Sequence, residues 1–230
     1  MGLSKQLASF LGKVFKFFSA DQAIDIDKEI GATVVESSPK NFGEKSVWIV
    51  VKTTEIKHVL HNLKVKHIEK CSWEKALLSD DSIFVTGPIN GWVLLVGSRI
   101  LTPDYNNGMK NVNNYLDELS KVFGESQYFV CQRTTDTAIW SKSINGKIER
   151  TYSIGDNFFY QEGCITALES EMCLIPDNPF LLENEDLFNQ YLYPEISHVL
   201  KIAENWSFNP SKMTEIKDIP GFGYIIKLKN

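Results

Sequence analysis

Apolar residues recur at helical spacing in several parts of the chain, and we expect these parts to form amphipathic helices. Residues 3–18 are the clearest case, because leucine, valine and phenylalanine stand three, four and seven positions apart with lysines between them. The predicted helices are 3–18, 55–63, a short helix with Ser72 as its N-cap, 112–123 before Gly124, and 185–203, which Pro194 must kink or split.

Runs rich in β-branched and aromatic residues predict strands. Residues 47–51 are almost wholly apolar, which predicts a buried strand. Residues 23–36 alternate roughly between apolar and polar positions, which predicts one or two strands broken at Gly31. Beyond Gly155 the chain is loop-like and acidic until the helix at 185–203. Residues 221–228 predict a terminal strand that completes a sheet.

Two Asn-Gly dipeptides lie between apolar runs, which is a strong short-range signal for a β-hairpin. Asn90-Gly91 predicts a hairpin at 83–97, and Asn145-Gly146 predicts the tight turn of a second block at 127–154. Because the strands come in adjacent hairpins rather than between crossover helices, we expect an antiparallel or mixed sheet. The sequence therefore predicts a single α+β domain over residues 1–230, with helices packed at the N-terminus, in the middle and in the C-terminal region.

The formal net charge of −5 belongs to the last third of the chain. Residues 164–230 hold five basic and ten acidic residues, whereas the preceding residues balance. An acidic surface repels a phosphate backbone and attracts a basic protein, so we expect a basic protein partner and no nucleic acid. The proposed contact residues are Glu169, Glu171, Glu183, Glu185 and Asp186. The alternative is that they are ordinary solvated carboxylates.

The sequence assigns no catalytic residue and no cofactor. His58 and His61 share a face of the predicted helix and are weak candidates for metal binding. Neighbouring lysines would repel a cation and no H-E-x-x-H or C-x-x-C motif is present, which favours solvated surface histidines. The cysteines also lack the spacing of a metal site, and Cys131, inside an apolar run, is expected to be a buried, reduced thiol.

Two arginines stand near aromatic residues in the second hairpin block. Arg133 and Arg150 lie on or beside the strands that carry Trp140 and Tyr152. This arrangement predicts either a recognition surface or charges that decorate the solvent face of the sheet, and the second interpretation is favoured.

The helix predicted at 3–18 leaves three interpretations open. Its lysines interrupt any signal-peptide core, so we expect a protein that stays in the cytoplasm. The favoured interpretation packs its apolar face on the domain itself. A helix that is basic and rich in phenylalanine can also lie on a membrane surface or dock on a partner, and these are the alternatives.

Several stretches between Trp73 and Glu171 resemble an uncharacterised family of bacterial proteins. They are 73–77, 84–97, 119–140, and the segments NGKIERTYSIGD and EGCITALESE that lead to Glu171. Members of that family are similar to accessory proteins found near secreted or polymorphic toxins, so the resemblance implies an antagonist of a cognate toxin. The family pattern places a histidine where this chain has Gln132-Arg133 and Thr135-Asp136, which weakens an enzymatic interpretation.

These observations predict a non-enzymatic, cytoplasmic binding protein, an immunity-type antagonist of a bacterial toxin that acts by covering a basic surface. Two alternatives stay open. One is a hydrolase that uses a His/Cys site, and the other is a membrane-apposed scaffold protein that uses the helix at 3–18.

Overall fold

The computed structural model describes residues 26–63, 65–103, 108–155, 158–174 and 191–228. The helix predicted at 3–18 lies outside the described residues. So does the segment 175–190, which contains Glu183, Glu185 and Asp186. No helix in the described ranges is long and apolar enough to cross a membrane.

The described residues form one nine-stranded sheet in which every pair of neighbouring strands is antiparallel. The strands are β1 (Ser46–Val51), β2 (Val65–Ser72), β3 (Ile83–Ile89), β4 (Trp92–Val96), β5 (Glu125–Gln132), β6 (Thr137–Ile144), β7 (Lys147–Gly155), β8 (Phe158–Gly163) and β9 (Phe222–Leu228). Their order across the sheet is β2-β9-β3-β4-β1-β5-β6-β7-β8. The α+β class predicted from the sequence is confirmed, and the sheet is antiparallel rather than mixed.

Helices cover both faces of the sheet. They are α1 (Ile26–Ile30), α2 (Ile56–Asn62), α3 (Trp73–Leu77), α4 (Met109–Phe123), α5 (Ala167–Glu171) and α6 (Ile196–Trp206), with 3₁₀ turns at Arg133–Thr135 and Pro210–Glu215. Strand residues alternate between two hydrophobic clusters, as Trp48 and Ile49 do in β1. One cluster packs against α3 and α6 and the other against α2 and α4, so the sheet lies between two helical layers.

Both Asn-Gly turns form as predicted. Asn90 and Gly91 have φ angles of 50° and 86°, and Asn145 and Gly146 have 50° and 82°. Positive φ at both central residues is the conformation of a type I′ turn, whose twist matches that of the flanking strands. The hairpin at 83–97 and the three-stranded block at 127–154 are therefore confirmed.

Several other predicted elements are also present. The buried strand at 47–51 is β1, and 221–228 contains β9, which lies between β2 and β3. The helices at 55–63 and 112–123 are α2 and α4. Ser72 caps α3, since its side chain accepts a hydrogen bond from the Lys75 backbone N–H.

In the described part of 23–36, residues 26–36, the expected strands are wrong. Residues Ile26–Ile30 form α1 instead, and residues 32–36 have neither helix nor strand. Ile26 and Ile30 stand four positions apart, which puts both on one helical face, and both pack in the same cluster. Val35, expected to be a strand residue, is 88% exposed.

Two strands were not predicted. In β2 the buried residues Val65 and Ile68 stand three apart on one face, because the register shifts between Val65 and His67. Cys71 follows three positions later and packs on the other face. In β8 no alternation exists, since its first four residues are all half-buried. The loop-like region expected after Gly155 therefore contains β8, and α5 follows it.

The described part of the helix expected at 185–203 starts at Ile196, after Pro194, and runs to Trp206. Residues 191–195 are not helical. Pro194 therefore lies before this helix and does not kink it, as its missing N–H and fixed φ favour, and the part of the prediction that covers 185–190 lies outside the described residues.

Candidate functional site

A row of polar side chains crosses the sheet on the face covered by α6. Gln127 in β5 pairs with Lys142 in β6, which pairs with Arg150 in β7. The adjacent row on the same face is aromatic and runs through Trp48, Phe129, Trp140 and Tyr152, which are paired in the same order. Charges beside a packed aromatic row need specific partners, since burial of an unpaired charge is costly.

Arg150 finds its partner in α5. The Glu169 carboxylate lies 2.8 Å from Arg150 Nη2, and Arg150 Nε donates to both Glu169 oxygens at 2.9 and 3.1 Å. Each side chain is 2% exposed. Arg150 Nη1 also lies 3.4 Å from the carbonyl oxygens of Glu162 and Gly163, at the end of β8. The pair therefore joins the sheet to α5 through a fully buried charge contact.

Aromatic residues enclose this ion pair. Trp140 Nε1 donates to Glu169 Oε1 at 3.0 Å, and the Trp140 ring stacks on Tyr152 with centroids 4.5 Å apart and planes at 6°. Burial raises the pKa of the Tyr152 hydroxyl, so this ring stays neutral near neutral pH. Neither interpretation of Arg150 is correct. It is part of the interior, neither a recognition surface nor a solvent-facing charge, whereas Arg133 is exposed.

Glu169 also fixes the start of α5. Thr166 Oγ1 accepts from the Glu169 backbone N–H, and Glu169 Oε2 accepts from the Thr166 N–H at 2.7 Å, which completes a capping box. One carboxylate thus caps the helix and neutralises Arg150. Its expected place at a partner-facing surface is wrong, because the side chain is buried and its oxygens are already bonded.

A groove of about 450 Å³ opens beside this cluster, between α5 and the end of α6. Its walls and floor are Glu125, Lys142, Thr166, Ala167, Leu168, Glu171, Asn205 and Trp206. Lys142 Nζ lies 4.8 Å from the centroid of the half-exposed Trp206 ring, a cation–π contact, and 3.7 Å from Glu149.

Gln127 holds the floor and one wall of the groove together. Its Nε2 donates to Glu125 Oε1 at 2.8 Å and to the Trp206 carbonyl at 3.2 Å. Glu125 Oε2 faces Lys52 Nζ at 3.5 Å. The Trp206 ring also packs on Phe129 with centroids 5.8 Å apart, so the indole is fixed from two sides. The groove therefore combines a positioned aromatic ring with carboxylates of both β5 and α5.

Of the five predicted contact residues, Glu171 alone is both described and exposed. It lies on the groove. Glu183, Glu185 and Asp186 fall in 175–190, outside the described residues. The residues on either side of that segment are hydrogen-bonded to each other, since the Leu192 N–H donates to the Cys173 carbonyl at 2.7 Å. Four of the ten carboxylates of the last third lie in that segment, so most of its acidic excess does too.

The histidine candidates do not converge. His61 Nδ1 lies 2.8 Å from the Lys57 carbonyl of its own helix, and the His58 ring meets the edge of Phe123 at 5.1 Å. Both are exposed, and the described ranges contain no group of three His, Cys, Asp or Glu side chains arranged to hold a metal ion. His67, with Lys66 and Lys70, lies on β2 at the edge of the sheet.

Cys71 and Cys131 are fully buried. Burial raises the pKa of the Cys71 thiol to about 11 and that of Cys131 to about 12. Both remain protonated near neutral pH, and neither supplies the thiolate that a cysteine-dependent hydrolase needs. The expected role of Cys131 as a small buried hydrophobe is confirmed.

The fold and this groove define an α+β protein with a single antiparallel sheet and a mixed aromatic and charged surface groove. No protein-family model, curated protein or solved structure matches the chain.

Sequence reasoning missed Lys142, Glu125 and Trp206, because the groove forms only when β5, β6 and the end of α6 meet. It also missed the role of Glu169, although a signal for that role was present. Thr166 and Glu169 have the Thr-x-x-Glu spacing of a capping box. That pattern predicts a helix start within the region that is otherwise loop-like in sequence.

Proposed function

We propose that this protein is a cytoplasmic, non-enzymatic binding protein, an immunity-type antagonist that covers a basic surface of a bacterial toxin. The observation that supports this best is the groove in which exposed Glu171 stands near the fixed indole of Trp206 and the carboxylate of Glu125. The Glu171 carboxylate can receive a lysine or arginine side chain from a partner, and the half-exposed Trp206 ring, which Lys142 and Phe129 already contact, adds aromatic surface beside it.

The chemistry of the interior also favours binding over catalysis. The buried ionic groups, Arg150 and Glu169, are paired with one another. The buried thiols of Cys71 and Cys131 are protonated. These groups stabilise the fold, and among the described residues the exposed carboxylate of Glu171 stands at the groove. Electrostatic attraction between such a surface and a basic toxin would raise the association rate.

The experiment begins with the neighbouring genes. Each is expressed with and without this protein, and the expected result is one neighbour that is toxic alone, harmless together, and copurifies with it. If no neighbour is toxic in its absence, or none copurifies with it, the proposal fails.

A charge variant then tests the groove. Glu171→Lys should weaken binding of the captured toxin, as measured by calorimetry. Added salt should reduce the difference in affinity between the variant and wild type, because it screens the charges. Glu55→Lys is the matched control, because Glu55 is exposed and precedes α2, on the opposite face of the sheet. Equal losses in both variants would show that net charge, and not the groove, determines binding.

A further inference from the structure

The two edges of the sheet differ in how they are protected. An edge strand presents unpaired N–H and C=O groups, and proteins usually protect such edges with charge, proline or a bulge. The β2 edge has such protection, since Lys66 and His67 are exposed there and the register shifts between Val65 and His67.

The β8 edge has fewer of these devices. Its sequence is Phe-Phe-Tyr-Gln-Glu-Gly, without lysine, arginine or proline and with Glu162 as its one charged residue. It pairs with β7 through all six residues from Gly155↔Phe158 to Arg150↔Gly163 with no register shift. Within the described residues β8 pairs with β7 alone, so about half of its backbone polar groups point away from the sheet.

The side chains of β8 are only partly buried within the described chain. Phe158, Phe159, Tyr160 and Gln161 are each half-buried, on alternating faces of the sheet. Glu162, its one charged residue, is held on its own chain by Tyr160 Oη at 2.7 Å and Asn113 Nδ2 at 3.1 Å. The strand is therefore free of bulges and uncharged along most of its length.

We propose that β8 pairs in antiparallel fashion with β8 of a second copy, so that two sheets join into one across a two-fold axis. The chemical complement of an unpaired strand edge is another strand edge, and this one is compatible with itself. A two-fold axis through Tyr160 places Glu162 of each copy opposite Phe158 of the other, on the same face of the joined sheet, which keeps the two carboxylates apart.

The asymmetry of the edges limits this association to two chains. Each chain has one unprotected edge, and using it in an isologous contact leaves only the two β2 edges, with Lys66 and His67, at the ends of the joined sheet. A closed dimer results instead of a fibre. This inference does not depend on the proposed immunity role.

Sedimentation equilibrium of the full chain, with reductant present because Cys164 is exposed, tests the proposal. The expected mass rises with concentration and levels at twice the chain mass. Phe159→Lys, which puts a charge on the β8 edge, should give a monomer, whereas His67→Lys on β2 should leave the dimer unchanged. A wild-type monomer at all concentrations, a mass that grows past two chains, or loss of the dimer in His67→Lys alone would each overturn it.

Hydrogen exchange of wild type keeps the test decisive if Phe159→Lys does not fold. The outward amides of β8 should gain protection as concentration rises, while the β2 amides stay unchanged. Protection of β8 that is independent of concentration, or that appears only when a different protein is added, would show that no second copy binds there.

Discussion

Arg150 in β7 and Glu169 in α5 form a fully buried ion pair that joins the sheet to a helix of only five residues. Glu169 makes its contacts to Arg150, Trp140 and the Thr166 backbone at the same time. Such a short helix has little intrinsic stability, so its position depends on these contacts. The pair therefore holds one wall of the groove against the sheet.

Glu169→Gln should destabilise the protein by about 3–5 kcal/mol, because it leaves the Arg150 charge buried without its partner. Urea denaturation measures the change. Thr166→Ala is the control for lost capping and should cost only about 1 kcal/mol, since it keeps the ion pair. A Glu169→Gln variant as stable as Thr166→Ala would mean that Arg150 is neutralised by other groups.

Replacing both members of the pair tests the same contact in another way. Arg150→Met combined with Glu169→Leu should cost less than either single change, because no unpaired charge remains in the interior. The double-mutant cycle then gives a favourable coupling. If the losses of unfolding free energy in the two single variants simply add in the double variant, Arg150 and Glu169 do not interact favourably.

His198 should make stability depend on pH. Its Nδ1 accepts the Glu195 backbone N–H at 2.9 Å, which needs the neutral ring. Burial lowers the pKa of His198; Lys201 acts in the same direction and Glu195 opposes it. In the unfolded chain the histidine takes up a proton near pH 6.5, whereas in the folded chain it does so only at lower pH. The stability that the neutral ring contributes is therefore present above about pH 6.5 and is lost as the pH falls through the folded pKa.

Thermal unfolding at several pH values checks this effect. His198→Gln cannot titrate in this range and should flatten the decline below about pH 6.5 relative to wild type. His67→Gln, at an exposed position on β2, serves as the control and should keep the wild-type slope. Equal slopes in all three proteins would contradict the prediction.

The cysteines should separate into two classes towards a thiol reagent. Cys164 and Cys173 are exposed, while Cys71 and Cys131 are buried with raised pKa values. Two thiols should react quickly in the folded protein and all four in denaturant. A variant with serine at 164 and 173 should lose the fast reaction entirely. Rapid modification of that variant would show that the interior opens.

Gly91→Ala should cost about 1–2 kcal/mol through backbone conformation alone. The φ of Gly91 is 86°, and a Cβ there would meet no atom within 4 Å. Gly91→Asn should be milder, because asparagine tolerates the left-handed region better than alanine does. Chemical denaturation of the two variants gives the comparison, and an alanine variant as stable as wild type would argue against a fixed type I′ turn.

Local patterns predicted the elements that local physics determines. The Asn90-Gly91 and Asn145-Gly146 turns, the apolar strand β1 and the end of α4 at Gly124 all depend on neighbours in sequence. β2 was missed because a bulge displaces Val65 and because Ile68 and Cys71 face opposite sides of the sheet, so no two-residue period is visible. Its partner β9 also lies far away along the chain. Its place in the sheet is set by contacts that no local window contains.

The groove was less predictable than the fold. Arg150 looked like a surface residue because a charge on a strand is usually solvated, and its burial depends on a carboxylate nineteen positions later. Glu171 was predicted as a contact residue and does lie exposed, but Glu169, two positions away, points inward because α5 turns it towards the sheet. Proximity in an acidic stretch therefore did not distinguish a solvated carboxylate from a buried one.

The position of β9 between β2 and β3 constrains the order in which the protein can assemble. Within the described residues β2 has no other strand partner, and β9 is more than a hundred residues later in the chain. During synthesis, β2 must therefore wait for nearly all of the described chain to emerge, while the hairpins from β3 to β8 can pair soon after they are made. The apolar positions of β2 stay without their sheet partner for that interval, which makes the β2–β9 closure the step most exposed to misfolding.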